Sequence, residues 1–231
     1  MNFLRYRPTA INFPMILRII GLLLIIEGLF LTVPLATSLV YHETDWMCFL
    51  LTMVVTTVAG TIMTFGIRPR NPRMGKREGF LLTALIWIFF SIFGMIPFIL
   101  MEKQPMSVSD AFFEAMSGFT TTGATVMDSI SHLSHGIVMW RSLMQWIGGM
   151  GIILFTLAVV PMLNHSGGMQ MFNAEVTGIT HDKLRPRISQ TAKGLWLIYI
   201  VLTLVLFILL IIGPMDTFEA ICHAFSTMST G

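Results

Sequence analysis

Apolar residues run along this chain in long, nearly unbroken blocks. Five stand out: Met15–Tyr41, Trp46–Ile67, Gly79–Met101, Gly136–Leu163 and Gly194–Gly213. Each reaches the length of about 20 residues that a membrane-spanning helix needs, so the pattern predicts five such helices. Between the third and fourth blocks lies Asp110–Met127, DAFFEAMSGFTTTGATVM. It is too short and too polar to cross a bilayer. Its place between two apolar blocks predicts a re-entrant loop: a short helix goes in and a Thr/Gly strand comes back out. Non-helical backbone at membrane depth is tolerated only where protein buries it or where it lines a water-filled path. A Thr-Thr-Thr-Gly strand there suggests carbonyl and hydroxyl oxygens aimed at a partly dehydrated cation. The bland alternative is a Thr-rich turn. The flanking helices favour the cation path, as does a partial repeat further on.

That repeat begins at Thr191, in the basic stretch Lys183–Lys193. An apolar helix ends at Gly213-Pro214, and DTFEAICHAFSTMSTG follows from Asp216 to Gly231. Both short stretches start at Asp, pass through Phe and Ala, and end in hydroxyl residues and Gly. Asp110 to Gly123 is shorter than Asp216 to Gly231, so this pairing makes the repeat gapped. Internal repeats in membrane proteins usually build a pseudosymmetric assembly around a shared path. The first helix pair, about Met15 to Ile67, stands outside the repeat. The organisation is therefore 1–75, a two-helix extension; 76–165, a first helix–loop–helix repeat; 166–190, a cytoplasmic connector; and 191–231, an incomplete second repeat.

Composition agrees with the pattern. Hydrophobic residues make up 55% and charged residues 11%, with a mean hydropathy of +0.78; soluble domains carry about 25% charged residues. The net charge of +2 is too small to point to nucleic acid. Basic residues set the orientation. Arg5, Arg7 and Arg18, then Arg68, Arg70, Arg73, Lys76 and Arg77, then Lys183, Arg185, Arg187 and Lys193 fall on one side if five helices alternate. That side is expected to be cytoplasmic, with the N-terminus. The other side collects Glu43, Asp45, Glu102, Asp110, Glu114, Asp128, Asp216 and Glu219. Cys48 and Cys222 read as reduced, packed residues.

Taken together, DAFFEAMSGFTTTGATV, WRSLMQWIGGMGI at Trp140–Ile152, GGMQMFNAE at Gly167–Glu175, RPRISQTAKGLWLIYIVLT at Arg185–Thr203 and HAFSTMSTG at His223–Gly231 resemble one family. The chain resembles the membrane subunit of Trk/Ktr-type bacterial potassium uptake systems, the Trk type in particular, over essentially its whole length. The resemblance implies an all-α membrane protein in which a helix pair precedes potassium-channel-like helix–pore loop–helix repeats. Four such loops form one selectivity filter. It implies potassium as substrate, no tightly bound cofactor and no enzymatic step. It implies a bacterial inner-membrane location, a homodimer at full length and a cytosolic nucleotide-binding regulatory subunit as partner, besides membrane lipid. By that pattern the chain is the N-terminal half only, with one repeat complete and the second cut in its filter. The alternative expectation is a non-conducting fragment or assembly partner.

Single residues carry the finer expectations. Thr120, Thr121, Thr122 and Gly123, with Ser229, Thr230 and Gly231, are the filter candidates, and potassium is placed at Thr121, Thr122 and Gly123. Asp110 is expected to cap the pore helix, whose carboxyl end points at the cation path. Glu114 is expected to pair with Arg141 and brace the loop; Arg141 snorkelling to the interface is the rival reading. Gly148, Gly149 and Gly151 allow a hinge or a close helix contact, and the close contact is favoured. Glu27, mid-helix, is a functional candidate by default, against a structural reading in which it is protonated or bonded to Thr56 or Thr57. His132 and His135 lack a third ligand and read as solvated; His223 reads as packing.

Overall fold

The computed structural model describes residues 11–69, 75–102, 104–127, 132–164 and 188–231, with backbone alone at 76, 152–164 and 188–191. Among these residues all regular structure is helical. The helices are α1 (Phe13–Phe30), α2 (Thr32–Val40), α3 (Trp46–Gly66), α4 (Lys76–Gly94), α5 (Ile96–Leu100), α6 (Val108–Phe119), α7 (His135–Asn164), α8 (Ile188–Ile212) and α9 (Thr217–Ser229). Four stretches are long and apolar enough to cross a membrane: Phe13–Val40, Trp46–Gly66, Arg77–Leu100 and Ala192–Ile212. The remaining predicted span is helical throughout, as α7. Expectations that rest on Arg5, Arg7, Arg70, Arg73, Asp128, Lys183, Arg185 and Arg187, and on 166–187 of the connector, lie outside the described residues.

Two of the predicted single helices are broken. The first apolar block divides at Leu31. Pro34 has no N–H to give the Phe30 carbonyl, and the next bond runs from Leu35 N to Leu31 O at 3.2 Å. The third block divides at Met95, and Pro97 is again the cause. Phe98 N bonds Met95 O at 3.1 Å instead of Gly94 O. The Gly94 carbonyl is taken by the indole of Trp140, at 2.9 Å. Such breaks persist in membrane helices where a neighbouring side chain satisfies the freed backbone.

Packing starts with α1 against α3. Gly21 and Gly60 face each other, and a Cβ on either would stand 2.7 or 2.6 Å from the other's carbonyl oxygen. Small residues let the two backbones touch, which is how helices associate where lipid offers no hydrophobic drive. Ile16, Ile20 and Leu24 of α1 are fully buried at helical spacing. Among the described residues the largest fully buried side chain is Trp140 of α7. Its ring meets Phe119 edge-on at 6.2 Å, and Phe119 in turn meets Phe90 of α4 at 5.3 Å. On α8 the pattern is inverted relative to a soluble helix: Tyr199 and Thr203 are buried, while Leu197, Val201, Val205, Ile208 and Ile212 are exposed. Cys48 and Cys222 are free and buried.

Candidate functional site

The short helix α6 has 12 residues and is about 18 Å long at 1.5 Å per residue, half a bilayer core. Its N-cap is Ser107, not Asp110 as the sequence suggested. The Ser107 hydroxyl accepts from Asp110 N at 3.2 Å and donates to the Asp110 carboxylate at 2.7 Å. Asp110 therefore sits in the first turn, where its charge favours the positive end of the helix dipole. The cap must be a residue with extended backbone, and Ser107 has φ −61° and ψ 155°.

At the far end the chain leaves the helix through Thr120. Thr121 N bonds Gly118 O at 3.0 Å and Thr122 N bonds Ser117 O at 2.9 Å, with Thr121 left-handed at φ 56°. This is a Schellman closure, usually made with glycine. Gly123 is also left-handed, at φ 73°. The segment expected to be a strand is therefore irregular, with alternate residues in conformations that strand pairing excludes. Hydroxyls fix it: Thr120 bonds Met116 O at 2.7 Å and lies 2.8 Å from the Thr122 hydroxyl, and Ser117 bonds Ala124 O at 2.6 Å.

The second short helix ends in the same way. Thr230 N bonds Thr227 O and Gly231 N bonds Ser226 O, both at 3.1 Å, with Thr230 left-handed at φ 61°. Its N-cap is Asp216. One offset of 109 positions carries Ser107 onto Asp216 and Thr121 onto Thr230. The repeat is thus ungapped in structure. Gly231 corresponds to Thr122, not to Gly123. Matching Asp110 with Asp216 created the apparent gap, because equal letters stood at different places in the helix.

Glu114 and Arg141 form an ion pair, so Arg141 does not snorkel. Glu114 is 1% exposed. The carboxylate also accepts from the Thr125 hydroxyl at 3.0 Å and from Val126 N at 3.3 Å. One buried anion thus ties α6, α7 and the returning segment together. The repeat places His223 at the position of Glu114, and there it is exposed rather than packed.

Gly148 and Gly149 receive the ends of both short helices. A Cβ on Gly148 would collide with the Phe119 carbonyl oxygen; one on Gly149 would stand 3.1 Å from Ser229 Cα. A Cβ on Gly123 would stand 2.9 Å from the Gly231 carbonyl carbon. So Thr120–Gly123 and Ser229–Gly231 converge on one face of α7. Gly151 does not touch either short helix: among the described residues a Cβ there meets only the Trp87 ring, at 3.4 Å.

Three residues escaped the sequence reading. A Cβ on Gly231 would stand 3.0 Å from the buried Gln145 side chain. Tyr199 donates to the Trp146 carbonyl at 3.1 Å, beside Gly149. Phe119 is wholly buried beneath the loop. Gln145, a polar residue inside an apolar block, was the one signal available. His135 is not simply solvated: its backbone N–H and Nδ1 both meet Glu43 at 2.8 Å, and its ring stacks on Tyr41 at 3.9 Å. No described group of three His, Cys, Asp or Glu residues has metal-ligand geometry.

Long apolar helices around two half-length helices that end side by side define an all-helical membrane protein. Comparison with known proteins agrees. Residues 46–231 match the TrkH family, described as cation transport protein, and the chain belongs to that family. It is 40% identical over 221 residues to the Trk system potassium uptake protein TrkH of Escherichia coli strain K12, covering 95% of this chain and 46% of that protein. It is 39% identical over 218 residues to its counterpart in Halomonas elongata, covering 94% and 45%. The crystal structure of the potassium transporter TrkH from Vibrio parahaemolyticus superposes with a TM-score of 0.80 at 35% identity, covering 94% of this chain and 43% of that one. The chain spans about half the length of the curated relatives it matches.

Proposed function

We propose that this chain supplies the helix pair, one pore loop and part of a second to a potassium uptake pore of the bacterial inner membrane. The observation that carries the reading is the convergence of Gly123 and Gly231 at the glycine pair of α7. Potassium crosses a narrow path when protein oxygens replace its water. Two short helices aim their carboxyl ends, each with about half a negative charge, toward that point. Left-handed Thr121 and Gly123 turn successive carbonyls of Thr121, Thr122 and Gly123 away from the helix ladder, and Ser229, Thr230 and Gly231 contribute from the second loop. Asp110, Glu114 and Arg141 support the loop. The division at 75, 165 and 190 follows the same scheme, with 1–75 as scaffold.

The names of the relatives support potassium as substrate, and their greater length means that the whole pore belongs to a chain of their size. In that setting the N-terminus is cytoplasmic, lipid surrounds the exposed face of α8, the pore subunit pairs with itself, and a cytosolic nucleotide-binding subunit regulates it. Transport is passage of an ion, with no covalent chemistry.

A chimera tests this. This chain should replace the matched half of the Escherichia coli relative and support potassium uptake into vesicles. Gly123→Ser in that chimera should raise sodium flux relative to potassium flux several-fold at equal membrane levels, because a side chain strains a left-handed position. An unchanged flux ratio would reject the filter assignment.

A further inference from the structure

Glu27 stands outside the machinery described so far. It is 1% exposed, and neither carboxyl oxygen has a hydrogen-bond partner among the described residues. Neither bond expected from the sequence forms: the Thr56 hydroxyl is itself buried without a partner among the described residues, and both Glu27 oxygens stay unbonded toward Thr57 too. Gly28 packs against Met53 and Thr57, which puts Thr56 at the depth of Glu27. The carboxyl instead faces the first repeat. A Cβ on Gly94 would stand 3.3 Å from Glu27 Oε1 and 2.6 Å from the Phe119 ring. This is the break between α4 and α5, held by the Trp140 indole on the Gly94 carbonyl.

Charge decides which form the carboxyl takes. Helices α2, α3 and α5 contain no Asp, Glu, Lys, Arg or His. Those of α4 are Lys76, Arg77 and Glu78, all in its first turn. Arg18 lies more than two turns back along α1, and Arg141 is committed to Glu114. An ionised carboxylate with no cation and no donor is far costlier in an apolar site than the neutral acid.

We propose that Glu27 is a proton-binding site within the membrane, whose neutral acid seals the helix pair against the seat of the first pore loop. The proton resides on one Oε. Its release would leave a bare carboxylate, which water would have to enter and solvate beside Gly94. That entry parts α1 from α4 and frees the Phe119 ring, one residue before Thr120. The helix pair is then a device that reads protonation, besides a scaffold.

The test reads protonation and packing, not transport, so its failure is distinct from failure of the potassium reading. Infrared spectra of the chain in lipid nanodiscs are compared with those of E27Q at about pH 8, where an exposed glutamate is fully ionised. The expected result is a protonated-carboxyl C=O band present in the wild type and lost in E27Q. The indole N–H resonance of Trp140, assigned with W140F, should stay in place in E27Q, because the amide mimics the neutral acid. If E27Q does not fold, E27D carries the same information through a shift of that band. Absence of any such wild-type band, or its loss on adding potassium or sodium chloride, would overturn the proposal.

Discussion

At the scale of single residues, two contacts concentrate the consequences of substitution. The Glu114 carboxylate holds Arg141, the Thr125 hydroxyl and Val126 N within a nearly closed site. Removing one partner strands the other charge, which costs about 3–5 kcal/mol in buried pairs. Glu114→Gln and Arg141→Gln should each lower thermal stability in detergent by an amount in that range. The double variant should lose less than the sum of the two; strict additivity would mean that the pair is not coupled. Gly148 is the second such position. A methyl there meets the backbone of Phe119, which cannot rotate away as a side chain would. Gly148→Ala should therefore cost about 1–3 kcal/mol or more, the usual penalty for overpacking. Gly151→Ala, which meets only a ring at 3.4 Å, should be nearly silent in the same melting assay.

At the scale of elements, both short helices are built by one recipe: an oxygen-bearing N-cap, an acidic residue in the first turn, and a left-handed Thr that closes the last turn. Ser107→Ala removes the acceptor for Asp110 N and should cost about 1 kcal/mol. Asp110→Asn leaves that acceptor in place and should cost less, as melting in detergent will show. The existence of α6 was readable from Asp110–Gly118 because a polar stretch between two apolar blocks has few alternatives in a membrane. Its start was not. Ser107 and Asp110 are both good caps, and only the backbone dihedrals select between them. The breaks at Leu31 and Met95 were signalled by Pro34 and Pro97, yet hydrophobic continuity masked them.

At the scale of the whole molecule, the helix pair, the start of α7 and the second short helix are tied at one end of the bundle. Glu43 holds the start of α7 through His135 N and Gly136 N, and Phe218 of α9 packs edge-on against Tyr41 and His135. If basic residues set orientation, this end faces outward. A cysteine replacing exposed His42 should react with an impermeant reagent added to intact cells, and one replacing exposed Arg68 should not. Labelling at position 68 from outside would invert the topology.

The amino-acid sequence determined by itself what local pattern can determine: which blocks are long and apolar enough for a bilayer, where a polar stretch had to turn back, and that this stretch recurs. Those follow from the cost of leaving backbone or charge in hydrocarbon, a cost carried by each segment on its own. Tertiary structure decided what depends on distance between segments. It set the 109-residue register of the repeat, because hydrogen-bond closure and not matching letters defines equivalent positions. It brought Gly123 to Gly231 beside one face of α7. It also turned Glu27 toward Gly94 and Phe119 instead of Thr56 or Thr57, because a helix presents a side chain to whichever neighbour packing places there.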